Sequence, residues 1–260
     1  MTQTVDIRID EWQNDGGFAG VERLTYRIDG GEDWALAWPG ERDAWVVVLH
    51  GHGSRGDQIF TRPDVREKWL REYRALGLGV LSPNLRDNAW MCPEAVDDLH
   101  RLIGWAREHY GIASCYFLSG SMGGSGNLIY ATLHPEDVTA LSALGSVTDI
   151  WSYVYWLRNN PGGVKDEIYQ AIVSAYGGVP EEMPDKFAAH SVLRHLDRLT
   201  MPMLVSHGDD DALIPVEQSR QLAHLLIGKP DFTYLEIAGG DHDSPLFGCD
   251  LIGWLTGLLG

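Results

Sequence analysis

The stretch Leu118-Ser119-Gly120-Ser121-Met122-Gly123-Gly124 decides the predicted fold. It joins a short apolar run over residues 115–118, typical of a strand, to a helical pattern over residues 124–133. The small residues around Ser121 match the small-x-Ser-x-Gly pattern of a tight strand–serine–helix turn, in which bulky neighbours would clash. Such a turn presents the serine at a helix N-terminus, where the helix dipole favours negative charge. Ser121 is therefore the candidate nucleophile.

Strand and helix patterns alternate on both sides of this turn. The apolar run Trp45–Leu49 predicts a strand covered on both faces, as in a parallel sheet. A helix is predicted from Pro93 to about Tyr110, because its apolar residues form one stripe. Further strands are predicted at residues 5–9, 24–28, 34–38, 79–81, 139–144, 203–206 and 232–237, and further helices at 64–76, 216–227 and 246–259. The alternation predicts a single α/β domain, residues 1–260, with a mostly parallel sheet and N-terminal strands within residues 1–45.

Residues 147–200 interrupt this alternation with a mainly helical pattern between two predicted strands. The segment is too long for an ordinary connection, so we expect a helical cap over the site. Its aromatic residues Trp151, Tyr155 and Trp156 are candidate substrate contacts, and packing of the cap on the body is the alternative role. Trp90 is a further candidate for the rim of the site.

Two later loops carry the groups that a nucleophilic serine needs. The run Asp209-Asp210-Asp211 follows the predicted strand at 203–206, and His242 follows the last predicted strand. Open α/β sheets build their sites at the carboxyl ends of strands, where all these loops would meet. Asp149, which follows the preceding strand, is the fallback acid.

Two other kinds of site, a phosphate-binding loop and a metal site, are the alternatives to a nucleophilic serine here. A Gly-rich phosphate loop is disfavoured around Ser121, because neither G-x-G-x-x-G nor a Gly-Lys-Ser/Thr ending is present. His50 and His52 form a His-x-His pair, which is common among metal ligands. No further His, Asp or Glu cluster has the spacing to complete a metal site, so no metal and no organic cofactor is expected.

Together these motifs resemble the α/β-hydrolase superfamily over about residues 40–260. The Ser-Met-Gly-Gly run at Ser121 is similar to that of esterase D-like enzymes, with Ser119 in place of the usual glycine. The stretch Tyr176–Pro180, Ser191 and the pair Met201-Pro202 are similar to the compact prolyl-oligopeptidase-like branch.

The resemblance implies roles for individual residues. The spacing His-Gly-x-x-Asp-x-x-Val-Pro of the family selects Asp211 as the triad acid, and an exposed turn or helix cap is the alternative role for Asp209 and Asp210. The stretch Leu49–Ser54 resembles an oxyanion loop, which assigns the backbone N–H groups of His52 and Met122 as oxyanion donors.

The implied reaction is acyl transfer to water from a small-molecule carboxylic ester. A serine peptidase or amidase of the prolyl-oligopeptidase-like branch is the second hypothesis, for which Arg86 or Arg158 would bind a peptide terminus. A non-catalytic binding protein on the same fold is the third.

Composition excludes several other classes of protein. The 260 residues are 44% hydrophobic and carry a formal net charge of −17, which disfavours binding to nucleic acid or to anionic membrane surfaces. Three cysteines give no disulfide framework, and the N-terminus has no apolar signal-peptide core. A cytoplasmic location is therefore expected, and the oligomeric state stays open.

Overall fold

The computed structural model describes residues 6–14, 16–29 and 31–260. The strand predicted at 5–9 is found at Asp6–Glu11, and its predicted first residue, Val5, lies outside the described residues. Gly30, part of the sequence between the second and third predicted strands, lies outside them as well.

The strands of the described residues form one sheet, in the order β1-β2-β3-β5-β4-β6-β7-β8-β9. Their bounds are β1 Asp6–Glu11, β2 Glu22–Ile28, β3 Gly31–Trp38, β4 Ala44–Val47, β5 Gly79–Pro83, β6 Ser114–Gly120, β7 Ala140–Leu144, β8 Met203–Gly208 and β9 Phe232–Ile237. The pairs from β1 to β3 and the pair β3–β5 are antiparallel. Every pair from β5 to β9 is parallel. The predicted α/β class with a mostly parallel sheet is confirmed.

Helices connect the strands and cover both faces of the sheet. Their bounds are α1 Gln58–Thr61, α2 Pro63–Val65, α3 Arg71–Ala75, α4 Pro93–Tyr110, α5 Ser121–Leu133, α6 Ile150–Asn159, α7 Val164–Tyr176, α8 Pro184–Ala189, α9 Glu217–Leu225, α10 Ser244–Gly248 and α11 Leu251–Leu259. A π-helical stretch, Arg66–Leu70, joins α2 to α3. None of the helices in the described part of the chain is long and apolar enough to cross a bilayer.

Strand β4 is apolar at every position because both of its faces are buried. Successive side chains of a strand point to opposite faces of the sheet. Trp45 and Val47 pack into the core on one face, whereas Val46 packs into the core on the other. A strand buried on both faces cannot show the polar–apolar alternation of a half-exposed strand.

The segment 147–200 is helical, as its sequence pattern predicts, and lies between β7 and β8. Asp149 caps the N-terminus of α6 by accepting a hydrogen bond from the Ser152 N–H at 3.3 Å. Its other carboxylate oxygen accepts from Ser191 Oγ at 2.6 Å. These contacts give Asp149 a structural role at the start of α6.

His190 links this segment to the loop before α4 and makes stability depend on pH. Its Nδ1 atom lies 3.0 Å from the Met91 carbonyl oxygen and 3.1 Å from the Tyr176 hydroxyl. Burial lowers the pKa of His190 from 6.5 to about 4, although the hydrogen bond to Met91 opposes this shift. Between these values the unfolded chain binds a proton that the native chain does not. Native stability therefore falls as pH drops from 6.5 towards 4.

We expect the His190 contribution to reach about 3 kcal/mol at the acid end of this range. Urea unfolding at pH 7 and pH 4.5 would measure it, with His190→Asn as the matched variant that keeps a side-chain donor near Nδ1. The loss of stability on acidification should be smaller in the variant. Equal losses in the two proteins would contradict the prediction.

Candidate active site

Ser121 lies at the junction where β6 ends and α5 begins. Its backbone has φ of 56°, in the left-handed region that non-glycine residues rarely occupy. The turn is also tight, because a Cβ atom at Gly123 would collide with the carbonyl oxygen of Leu49. The sequence needs small residues here so that the serine can sit above the sheet.

Ser119, two residues before Ser121, has a structural partner. Its Oγ accepts a hydrogen bond from the Leu49 N–H at 2.9 Å. Leu49 follows β4, so the bond ties the serine turn to the neighbouring loop that begins at His50. The Ser119 hydroxyl adds a fixed contact between two loops of the site.

The structure brings Ser121, His242 and Asp211 together in one chain of hydrogen bonds. His242 Nε2 lies 2.9 Å from Ser121 Oγ, and His242 Nδ1 lies 2.7 Å from Asp211 Oδ2. In the neutral ring, Nδ1–H donates to the carboxylate and Nε2 accepts from the hydroxyl. These residues come from the loops after β6, β8 and β9, so the parallel sheet brings together positions that are distant in sequence.

Asp211 is held by three further donors. Its side chain is fully buried, and its Oδ1 accepts from the Leu213 and Ile214 N–H groups at 2.8 and 3.0 Å. His207 Nε2 lies 3.2 Å from Oδ2 and 2.9 Å from the Ile214 carbonyl oxygen, so its single N–H is shared between the two acceptors. Burial alone would raise the pKa of Asp211, but the hydrogen bonds from His207 and His242 hold it well below its usual range. Asp211 therefore stays ionised at neutral pH.

The other two aspartates of the run do not contact His242. Asp209 Oδ1 accepts from the Gly239 N–H at 2.6 Å, which fixes the loop that carries His242. Asp210 is exposed. The spacing that selects Asp211 therefore agrees with the geometry.

A cavity of about 210 Å³ opens beside Ser121 and His242. His52 lies in its wall, next to the serine turn. Met122 occupies the first turn of α5, where a backbone N–H has no helical acceptor. Most other lining residues are apolar and come from five parts of the chain: Val48 and Leu49; Ile59, Val65 and Trp69; Val164 and Ile168; Leu213 and Ile214; and Leu246.

None of the four aromatic residues predicted to contact substrate lines this cavity. Trp90 is buried and contacts the cavity wall indirectly, because its indole N–H donates a hydrogen bond of 3.2 Å to Nδ1 of His52. Trp151 packs on Phe187. Tyr155 lies against Arg158 and Trp156 against Tyr153.

The same segment does reach the cavity, but through α7 instead of α6. Val164 and Ile168 are its lining residues. Their spacing of four places them on one helix face. These two aliphatic residues carry no chemical signal in the sequence, whereas His207, a further contact that was not predicted, lies within the acid motif.

Among the described residues, two groups of side chains have metal-ligand chemistry, and in each group ligating atoms already have partners within the protein. Both ring nitrogens of His50 lie against backbone carbonyl oxygens, those of Gly51 at 2.9 Å and Asn84 at 2.8 Å. His100, His134, Glu136 and Asp137 form the second group, remote from Ser121 at the far end of α5.

The second group is already satisfied within the protein. The rings of His100 and His134 stack at 3.9 Å, and His100 Nδ1 lies 2.8 Å from Asp137 Oδ2. Asp137 Oδ2 accepts from Tyr130 at 2.6 Å, and its Oδ1 lies 3.6 Å from Arg107.

Comparison of the sequence with known proteins finds distant relatives. The chain is 26% identical over 225 residues to kynurenine formamidase avaC of Aspergillus versicolor, which covers 70% of this chain and 75% of the relative. It is 25% identical over 205 residues to esterase LipC of Mycobacterium tuberculosis, covering 67% of this chain. The chain matches only 50% of the length of LipC. No model of a known protein family matches the chain.

Comparison with solved structures finds the same architecture at low sequence identity. The fluorophosphonate-binding serine hydrolase FphF of Staphylococcus aureus superposes with a TM-score of 0.67 at 15% identity, covering 92% of this chain and 97% of that one. S-formylglutathione hydrolase FrmB of the same organism gives 0.66 at 14% identity, covering 99% and 100%. A puromycin-hydrolysing peptidase of Mycobacterium tuberculosis gives 0.62 at 20% identity, covering 91% of this chain and 36% of that one. The protein therefore has the same α/β-hydrolase fold as these structures.

Proposed function

We propose that this protein is a serine hydrolase that cleaves small carboxylic esters through an acyl-enzyme intermediate. The observation that carries the proposal is the hydrogen-bonded chain Ser121–His242–Asp211 at the wall of an apolar cavity. His242 Nε2 lies 2.9 Å from Ser121 Oγ, and a buried carboxylate holds the histidine ring. This arrangement activates a serine hydroxyl, which is otherwise a weak nucleophile.

Each residue then has one role in the reaction. Ser121 Oγ attacks the carbonyl carbon while His242 Nε2 takes its proton. His242 returns that proton to the departing alcohol. A water molecule then attacks the acyl-enzyme, with His242 taking its proton and returning it to Ser121 Oγ as the acid is released. Asp211 holds the ring with its proton on Nδ1 and stabilises the imidazolium that forms.

The negative charge that develops on the carbonyl oxygen needs donors beside Ser121. The backbone N–H groups of Met122 and His52 are the proposed pair. Met122 follows the nucleophile directly, and His52 lies in the neighbouring wall of the cavity. Such donors are fixed before the reaction, and each contributes about 3–4 kcal/mol to transition-state binding in comparable enzymes.

The charges around the cavity favour a neutral ester over a peptide with a charged terminus. Arg62 lines the cavity, but its guanidinium is held by Asp64 at 2.9 Å and by Asp243 at 3.4 Å. Arg86 and Arg158, the arginines considered for a peptide terminus, pair with other carboxylates and lie outside the lining.

The deciding experiment is a panel of p-nitrophenyl esters of rising chain length beside aminoacyl-anilides. We expect higher kcat/KM for the esters. A preference for the anilides would favour the peptidase or amidase hypothesis instead. Absence of turnover, together with no labelling by a fluorophosphonate, would favour a binding protein on this fold.

The cavity wall also predicts the effect of one substitution on chain-length preference. Val164 lines the cavity and is 39% exposed, so replacing it with Phe should narrow the cavity with little effect on folding. We expect kcat/KM for longer acyl chains to fall about tenfold relative to acetate, the scale of small changes in an apolar pocket. Trp156→Phe, in the same segment but outside the cavity, is the control. Equal losses on all esters would contradict this role for Val164.

A further inference from the structure

The loop before α4 has an unusually constrained backbone. Five of its residues are non-glycine residues with φ between 48° and 60°: Leu85, Arg86, Asp87, Trp90 and Met91. A left-handed backbone at such residues persists only where the surroundings determine it, and it is common at functional sites.

Tertiary contacts hold this loop in place. The Arg86 N–H donates to Asp33 at 2.5 Å, and its guanidinium makes two bonds to Asp98 at 2.6 and 3.0 Å. The loop is therefore a fixed support.

The loop makes hydrogen bonds to the segment of residues 51–58, which contributes Gly51, His52 and Gln58 to the cavity wall. Asn88 Oδ1 accepts from the Gly53 N–H at 2.8 Å, and Asn84 Oδ1 accepts from the Gly56 N–H at 3.2 Å. The indole N–H of Trp90 donates to Nδ1 of His52 at 3.2 Å. This last contact is the one that reaches a side chain of the cavity wall.

Trp90 is itself held by helices of the 147–200 segment. The Tyr153 ring lies 5.7 Å from the indole ring, and the Tyr176 hydroxyl lies 3.3 Å from the Trp90 carbonyl oxygen. Tyr153 also donates to the Leu213 carbonyl oxygen at 3.0 Å, in the loop that binds Asp211. Trp90 therefore contacts both His52 and α6, the helix whose Tyr153 also bonds the loop that contains Asp211.

An indole N–H can only donate, so Nδ1 of His52 must accept. The neutral ring then carries its proton on Nε2. Burial lowers the pKa of His52, although Glu167 on α7 opposes the shift. No hydrogen bond within the described part of the chain engages Nε2, although His52 lines the cavity together with Ser121 and His242.

We propose that Trp90 is a positioning residue that fixes His52 as the Nε2–H tautomer, so that the His52 ring donates a hydrogen bond to an oxygen of the bound substrate. This inference rests on the proposed hydrolase function. It adds a side-chain donor to the backbone donors of Met122 and His52, and it gives the strained loop a role in catalysis.

The test uses variants that separate the ring of His52 from its backbone. His52→Ala keeps the backbone N–H and removes the ring, and should lower kcat about tenfold to a hundredfold. His52→Gln places an amide donor near the position of Nε2 and should recover most of that loss. Trp90→Phe keeps an aromatic ring without the N–H and should lower kcat about tenfold with little change in KM.

The double variant identifies the route by which Trp90 acts. If Trp90 acts through His52, Trp90→Phe should have no further effect on kcat in the His52→Ala background. Full additivity of the two losses would overturn the proposal, as would unchanged kcat in the His52→Ala protein.

A direct measurement remains informative if Trp90→Phe fails to fold. Long-range proton–nitrogen NMR of histidine-labelled wild-type protein reports the tautomer of each ring, and the His52→Gln spectrum assigns the His52 signals. The proposal expects a single Nε2–H tautomer, and an Nδ1–H or exchanging ring overturns it.

Failure of this proposal differs from failure of the proposed function. If wild-type protein hydrolyses esters and a fluorophosphonate labels Ser121, the hydrolase function stands whatever the His52 variants do. If wild-type protein shows neither property, the proposed function itself has failed.

Discussion

Replacing Ser121 with Ala is expected to lower kcat for p-nitrophenyl esters by about 10⁴- to 10⁶-fold, the scale for loss of a triad serine. The alanine removes the atom that would form the acyl-enzyme, so only the proposed oxyanion donors and substrate binding would remain. Substrate affinity and folding should change little, because Ser121 Oγ makes its contact to His242 at the wall of the cavity. Turnover measured under single-turnover conditions, together with labelling by a fluorophosphonate probe, would check this.

Ser119→Ala is the matched control, because Ser119 lies two residues away in the same turn. It should lower stability by about 1–3 kcal/mol, since the buried Leu49 N–H loses its acceptor. It should leave fluorophosphonate labelling intact. Labelling at Ser119 or Ser125 in the wild-type protein would contradict the assignment of Ser121.

Replacing Asp211 with Asn should lower kcat by about 10⁴-fold. An amide at this position can donate to His242 Nδ1, which would leave the proton on Nε2 and prevent the ring from accepting the Ser121 proton. The Leu213 and Ile214 N–H groups favour this orientation, because they hold the amide oxygen at the Oδ1 position and so turn the amide NH2 towards His242. Steady-state kinetics across the ester panel would measure the loss.

Asn at positions 209 and 210 provides the comparison. Asp209→Asn keeps an acceptor for the Gly239 N–H, and Asp210 is exposed, so both variants should lose much less activity. Losses of similar size at all three positions would indicate a general disturbance of the loop. That result would contradict the specific role of Asp211.

The sequence predicted the sheet and the positions of the candidate triad because these features are local. The buried run at β4, the small residues around Ser121 and the spacing from His207 to Asp211 each constrain only their own neighbourhood. Chain order then places them at one end of a parallel sheet, since every parallel strand of one sheet ends at the same edge. The α/β class and the serine turn followed from these patterns, whereas the choice of Asp211 within its run of aspartates came from the resemblance to the α/β-hydrolase superfamily.

The wall of the cavity was decided by tertiary packing. The sequence identified α6 aromatics by their size, but α6 turns Tyr153 into the core, and Trp151 packs on Phe187. The cavity instead receives Val164 and Ile168, which resemble any other aliphatic pair on a helix. The spacing of residues along a helix predicts which side chains share one face. Whether that face contacts the core, the solvent or the cavity depends on how the helix packs against the rest of the chain. The bond from Trp90 to His52 likewise depends on a left-handed backbone, which distant partners such as Asp33 and Asp98 maintain.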